Sequence, residues 1–287
     1  MNHHLAVAAA AGTGIQVGAA LVASRHVAHD IGPATLAMLR YAIGFACLLP
    51  VALRVGAWPF RGRDVAPVAL LGILQFAALI ALLNHALQHI PSGRAALIFA
   101  TFPLLTVLIA AATGREPLTL RRVVAVLLSI AGGGLALAGG TLAGGAGIGQ
   151  GDIAAFLAAL CGAVASVGYG PYLRRYPTVP VSTFAMAAAV IALAPLTLTE
   201  APLERIATLG PDKWGAIVFV GLSSGIGYFL WLFALRHSEA GKVTIWLGLS
   251  PVVAGMLGAI LLGDPFGPTA IAGTALVLAG LWLATRN

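Results

Sequence analysis

Charge is scarce in this chain: Asp, Glu, Lys and Arg make up 9% of its 287 residues, against 60% hydrophobic ones. So small a charged fraction excludes an ordinary soluble domain, in which about a quarter of the residues are charged. Carboxylates are the rarer of the two charge signs, nine against sixteen Lys and Arg. All nine (Asp30, Asp64, Glu116, Asp152, Glu200, Glu204, Asp212, Glu239 and Asp264) fall in connections or near the ends of apolar runs. No acid is therefore placed mid-membrane to relay protons, and no Walker A pattern is present to use ATP. Cysteine is limited to Cys47 and Cys161, both inside apolar runs. That excludes a disulfide framework or a cysteine metal cluster, and both are expected to pack as small apolar residues. No metal or cofactor is expected.

What the chain does have is long apolar runs. A span needs about 20 such residues to cross roughly 30 Å of hydrocarbon. Ten stretches qualify: 4–24, 33–55, 66–89, 94–113, 121–142, 152–172, 180–199, 213–235, 242–262 and 268–285. The first has no Lys or Arg ahead of it and nine more follow, so it reads as an uncleaved helix rather than a signal peptide. Connections such as "GAWPFRGRD" at 56–64 and "EAPLERIATLGPD" at 200–212 are too short for a soluble domain. The formal charge of +7 is scattered over the connections, a pattern that argues against nucleic acid. With ten spans and an N-terminus in the cytoplasm, Arg54, Arg61, Arg63, Arg115, Arg121, Arg122, Arg174, Arg175, Arg236, Lys242 and Arg286 face inward. Arg25, Arg94, Arg205 and Lys213 face outward. By the positive-inside rule, eleven against four predicts both termini in the cytoplasm.

The chain also repeats itself. "ALQHIPSGRAALIFATFP" at 86–103 returns as "ALRHSEAGKVTIWLGLSP" at 234–251, 148 residues later. At that offset His89 pairs with His237, Gly93 with Gly241, Arg94 with Lys242, Pro103 with Pro251 and Pro117 with Pro265. Glu116 meets the like-charged Asp264, and Thr35, Ala37 and Met38 match Thr183, Ala185 and Met186. An offset of half the chain predicts two five-span units, 1–147 and 148–287, and an odd number of crossings inverts the second relative to the first. Inverted repeats are common in secondary transporters, which place substrate between the repeats and rock one bundle against the other.

Each half resembles the EamA-type unit of the drug/metabolite transporter superfamily. The resemblance is carried by "PATLAMLRY" in the second run, by "ALQHIPSGRAALIFATFPLLTVLIAAATGREPL", and by the echo "ALRHSEAGKVTIWLGLSPVVAGMLGAILLGDPF". It covers nearly the whole chain and implies an all-α membrane protein of ten helices that moves small metabolites. One departure is Arg40, whose counterpart in the second half is Ala188.

Polar and aromatic residues within spans mark candidate pathways, because such groups are costly in lipid. Helical spacing puts Ser224, Tyr228 and Trp231 on one face of the eighth run, Trp246 and Ser250 on one face of the ninth, and Ser166 with Tyr169 on one face of the sixth. Thr13 and Gln16 share a face in the first run, and the third contributes Gln75 and Phe76. The substrate-binding candidates are thus Gln16, Gln75, Phe76, Tyr169, Tyr228, Trp231, Trp246 and Ser250. The competing account for these side chains is helix packing and interfacial belts. Pro103 and Pro251, related by the repeat, are candidate hinges, with a static kink as the alternative. Arg40, seven residues into its run, can reach the outer interface or pair within the bundle, and structural anchoring is the role expected of it. Asn84 falls on the far side of its helix from Gln75 and is set aside. "GLSSG" at 221–225 satisfies the serine-hydrolase pattern but lies in an apolar run, where Gly221 and Gly225 make a helix-packing face instead.

These residues point to a secondary transporter of the cytoplasmic membrane, not an enzyme, surrounded by lipid and binding a small molecule. Resemblance to the exporter branch, the aromatic amino acid exporters in particular, implies amino acids as substrates. Tyr, Trp and Gln in an apolar interior suit a zwitterion with a large apolar side chain. The missing mid-span carboxylate favours facilitated movement. Efflux of hydrophobic or cationic drugs, transport of another metabolite, an intramembrane enzyme and a lipid scramblase remain the alternatives.

Overall fold

The computed structural model describes residues 2–27, 30–54, 60–90, 95, 98–99, 101–137, 149–200, 202–262 and 268–285, and it is all-helical, with no strand among them. Lipid offers backbone groups no hydrogen bonds, and a helix satisfies its own. The helices are α1 (Asn2–Val27), α2 (Pro33–Arg54), α3 (Gly62–His89), α4 (Phe102–Ala112), α5 (Leu120–Leu137), α6 (Gln150–Arg175) and α7 (Thr178–Leu198). A short helix at Pro202–Ala207 precedes α8 (Pro211–His237). Next comes α9, made of Ala240–Thr244, a 3-10 turn Ile245–Gly248 and Leu249–Leu262, and then α10 (Pro268–Thr285). Among the described residues seven helices are long and apolar enough to cross a membrane. The start of the expected fourth run and the end of the fifth lie in part outside the described residues, as do Gly93, Arg94, Asp264, Pro265 and Arg286.

Packing follows a regular scheme. Helix α1 lies on α8 as α6 lies on α3; α1 meets α9 as α6 meets α4; and α2 meets α8 as α7 meets α3. Helix α2 also pairs with α7, and α5 with α10. Each of these partnerships returns when each helix is exchanged for the one five places along. The correspondence extends to atoms: a Cβ on Gly132 would lie 2.6 Å from the Gly273 carbonyl oxygen, and one on Gly280 would lie 2.7 Å from that of Ala125. Gly132 and Gly280 stand 148 positions apart, and so do their respective partners, Gly273 and Ala125. Small residues set these close approaches. Gly221 faces Ile43, Gly225 faces Gly44, and "GLSSG" is an α2-facing stripe of α8 rather than a nucleophile elbow.

The helix ends gather into two rims. At the first, Glu200 accepts hydrogen bonds from the backbone N–H of Ala34 (3.0 Å) and Thr35 (2.8 Å), so a carboxylate sits at the N-terminus of α2. Nearby, Lys213 pairs with Asp30 at 2.7 Å. Asn84 donates to the Pro33 carbonyl at 3.0 Å, tying α3 to the start of α2. At the second rim the Tyr176 hydroxyl donates to Asp64, which Arg175 approaches at 3.5 Å. Close by, Arg122 bridges Glu116 (3.1 Å) and Glu239, and the Gly241 N–H reaches both Glu116 oxygens at 3.3 Å.

Burial raises the pKa of Glu116, partly offset by the Gly241 N–H and Arg122. A carboxyl whose folded pKa exceeds its unfolded value holds extra protons in the native state. It therefore stabilises the fold most at low pH and loses that contribution as pH rises through its own raised titration. In detergent, thermal stability is expected to fall as pH climbs above 4.5, the ordinary value for this group. Glu116→Gln, which keeps an acceptor for Gly241, should flatten that part of the profile. An unchanged slope in the variant would remove Glu116 as its source.

Candidate functional site

Residues of α1, α2, α3, α4, α8 and α9 line a half-open cavity of about 80 Å³. Helix α1 contributes Thr13 and Gln16, α2 Arg40 and Tyr41, α3 Gln75 and Phe76, and α8 Ser224, Tyr228 and Trp231. Phe99, Phe102 and Leu247 are among the apolar residues of the remaining wall.

Local geometry explains how two of these side chains are presented. Helix α3 relaxes into a π-turn at Ile73–Ala78, where the Leu79 N–H bonds back to the Leu74 carbonyl. Such a turn inserts a residue into the helical register and is frequent at functional sites. It carries Gln75 and Phe76. The Phe76 ring sits 4.6 Å from Tyr41 and 4.1 Å from Tyr228, the second contact edge-on, which is a favourable aromatic arrangement. Trp231 faces Phe102 with centroids 6.1 Å apart. Polar groups sit among these rings. Gln16 Nε2 approaches Ser223 Oγ at 3.4 Å, and Thr13 Oγ1 bonds the carbonyls of Ala9 (2.9 Å) and Gly227 (3.2 Å). Gln75 Oε1 and Trp231 Nε1 are buried without a hydrogen-bond partner.

Five of the eight expected binding residues, Gln16, Gln75, Phe76, Tyr228 and Trp231, thus line one cavity. Tyr169 is fully buried on α6 behind it, its ring 6.4 Å from that of Tyr228. Trp246 and Ser250 are not in the lining. Trp246 sits in the 3-10 turn of α9 between two apolar clusters, and both backbone carbonyls face α1, at Gly14 and Gly18 respectively. Among the expected hinges, Pro103 lies in the first turn of α4 rather than mid-helix, a position where its missing N–H costs nothing. Pro251 opens the last segment of α9 after the 3-10 turn. Both prolines therefore follow an interruption instead of making one.

Arg40 takes the second of the two courses open to it, pairing within the bundle. Its side chain does not reach the rim but turns inward, 9% exposed, and Nε donates to Ser224 Oγ at 2.6 Å. Tyr41, Phe99 and Phe102 were also not singled out in the sequence. Apolar rings in apolar runs leave no local signal, whereas the Arg40/Ala188 mismatch between the halves did carry one.

A second cavity, about 320 Å³, opens at the second rim between Arg115, Arg174, Arg236, His237 and Glu239. Among the described residues no three His, Cys, Asp or Glu side chains gather as a metal site.

Comparison with known proteins gives a consistent result. The EamA-like transporter family profile matches residues 4–138 and again 149–286. A "Probable terminal-alkyne amino-acid exporter" of Streptantibioticus cattleyicolor is 31% identical over 258 residues, 89% of this chain and 85% of its own. An "Uncharacterized transporter" of Archaeoglobus fulgidus is 27% identical over 280 residues, 94% and 95% respectively. The biotin transporter of Escherichia coli K12 is 40% identical, but over only 74 residues, 25% of this chain. One solved crystal structure superposes with a TM-score of 0.77 at 25% identity, covering 96% of this chain and 95% of the other.

Proposed function

The chain belongs to the EamA-like transporter family, a multi-pass membrane transporter rather than an enzyme, and from that premise we propose that it exports amino acids with large apolar or aromatic side chains. The observation that carries this reading is the central cavity. It is walled by the rings of Tyr41, Phe76, Tyr228 and Trp231 and holds the amides of Gln16 and Gln75. Rings accept an apolar side chain and, on their faces, an ammonium group. The amides supply the few directional hydrogen bonds that fix orientation. The amino-acid exporter among the relatives supports the substrate class.

In this reading ten crossings form two inverted units, 1–147 and 148–287, in the cytoplasmic membrane with both termini inside. The reciprocal helix partnerships and the two family matches support it. Alternating access would come from one unit rocking against the other around the cavity, and the absence of a mid-span carboxylate favours facilitated movement. In proteoliposomes containing the whole chain, saturable flux of phenylalanine or leucine is expected without an imposed pH gradient. Flux of drug cations or nucleosides but not amino acids would overturn the substrate. Amino acid flux that vanishes when a proton gradient is collapsed would overturn the facilitator.

A further inference from the structure

We propose that Arg40 is the receptor for a substrate carboxylate, so that the central cavity selects apolar carboxylates over amines of the same shape. The inference rests on the export reading above and narrows its substrate.

Arg40 lies seven residues into α2, about 10 Å along the axis. Its partner Ser224 lies thirteen residues into α8, about 20 Å along. Both helices start at the same rim, so the guanidinium points toward the middle of the bundle. Burying a cation without an anion is costly, and charges kept inside membrane bundles face a cavity or pair with one another. Among the described residues Arg40 has no carboxylate partner. Its Nε donates to Ser224 Oγ, and the Ser224 hydroxyl is itself spent on the Val220 carbonyl. Ser224 therefore orients the guanidinium plane through Nε, and the Tyr41 ring, 5.5 Å from Cζ, supports it from the side. Arg40 lines the cavity, and its hydrogen bond to Ser224 engages Nε and not the two terminal nitrogens, which form the fork that fits a carboxylate through two parallel hydrogen bonds.

Three further features point to the same ligand. Trp231 Nε1, a donor in the same cavity, is buried and unpartnered. Gln75 Oε1, an unpartnered acceptor there, matches the ammonium end of a zwitterion. The position is also one-sided. The repeat counterpart of Arg40 is Ala188, so helix packing alone, which the two halves otherwise share, does not require a cation. A single guanidinium in an aromatic-walled cavity of about 80 Å³ balances one negative charge, which favours a monocarboxylate over a doubly charged phosphate.

The experiment uses the full chain and three probes: phenylalanine, phenylpropionate, which lacks the ammonium, and phenethylamine, which lacks the carboxylate. The wild type should carry phenylalanine, and phenylpropionate should compete with it roughly tenfold or more better than phenethylamine. Arg40→Gln should lose that preference together with most phenylalanine flux, and Arg40→Lys should recover part of both. Thermal stabilisation of detergent-solubilised protein by phenylpropionate gives a readout that needs no transport. Equal competition by acid and amine in the wild type, which requires no variant to fold, would overturn the assignment and leave amino acid export standing. So would full phenylalanine flux in Arg40→Gln. If the wild type carries no amino acid but phenylpropionate stabilises it and not Arg40→Gln, the export reading fails and the carboxylate site holds. Absence of both flux and stabilisation removes both.

Discussion

Gly14→Ala is expected to cost about 1–3 kcal/mol, the range for forcing a methyl into a packed contact, and to lower the thermal unfolding midpoint in detergent together with transport. A methyl on Gly14 would overlap the Trp246 carbonyl, and Leu249 Cβ would lie 3.3 Å away. One turn on, a Cβ at Gly18 would lie 2.6 Å from the Ser250 carbonyl oxygen. The obstacle is helix backbone, which cannot turn aside, so α1 would have to withdraw from α9 and carry Thr13 and Gln16 with it. The repeat counterpart, Gly162, makes the comparison informative. Its added methyl would meet the Phe102 ring at 2.6 Å and Leu79 Cδ1 at 2.7 Å, and side chains can rotate. Gly162→Ala should therefore lower the midpoint by less. Equal losses would mean that the α1–α9 approach is not limited by backbone.

Gln75→Leu should separate transport from folding. The amide oxygen of Gln75 is buried and unpartnered, and leaving such a group unsatisfied costs about 1–3 kcal/mol. Leucine has a similar volume and no polar atom, so the unfolding midpoint should hold or rise. Transport of phenylalanine should drop about tenfold, since one hydrogen bond to a charged group is worth about 1.5–3 kcal/mol and 1.4 kcal/mol is a factor of ten. Trp246→Ala provides the opposite case. Its ring is packed between apolar clusters and is not in the cavity lining, so truncation should cost up to about 3–5 kcal/mol, a magnitude taken from soluble cores, and lower stability first. Unchanged transport in Gln75→Leu would mean that its amide oxygen does not meet the substrate.

How much of the site could be read in advance depended on the kind of residue. Gln16 and Gln75 stood out because an amide in an apolar run has few other reasons to be there. Tyr228 and Trp231 stood out through helical spacing. Trp246 and Ser250 share a face by the same spacing, yet α9 is interrupted by a 3-10 turn at Ile245–Gly248 that re-aims that face. Gly14 and Gly18 also bring α1 against it. Spacing states which residues share a face and is silent on which helix covers it.

Composition, run length and the 148-residue offset determined by themselves that this is a helical membrane protein with a repeated sequence. Those properties follow from the solvent, since lipid demands apolar surface and closed backbone hydrogen bonds over a definite length. Which polar side chains converge was decided only by tertiary structure. The same arginine can reach the interface or turn inward according to what the neighbouring helix offers. For Arg40 the offer was Ser224, 184 positions away in the chain, brought within 2.6 Å by the crossing of α2 and α8 at Gly44 and Gly225. A contact at that separation depends on how closely two glycines let their helices approach, a quantity that no local pattern encodes.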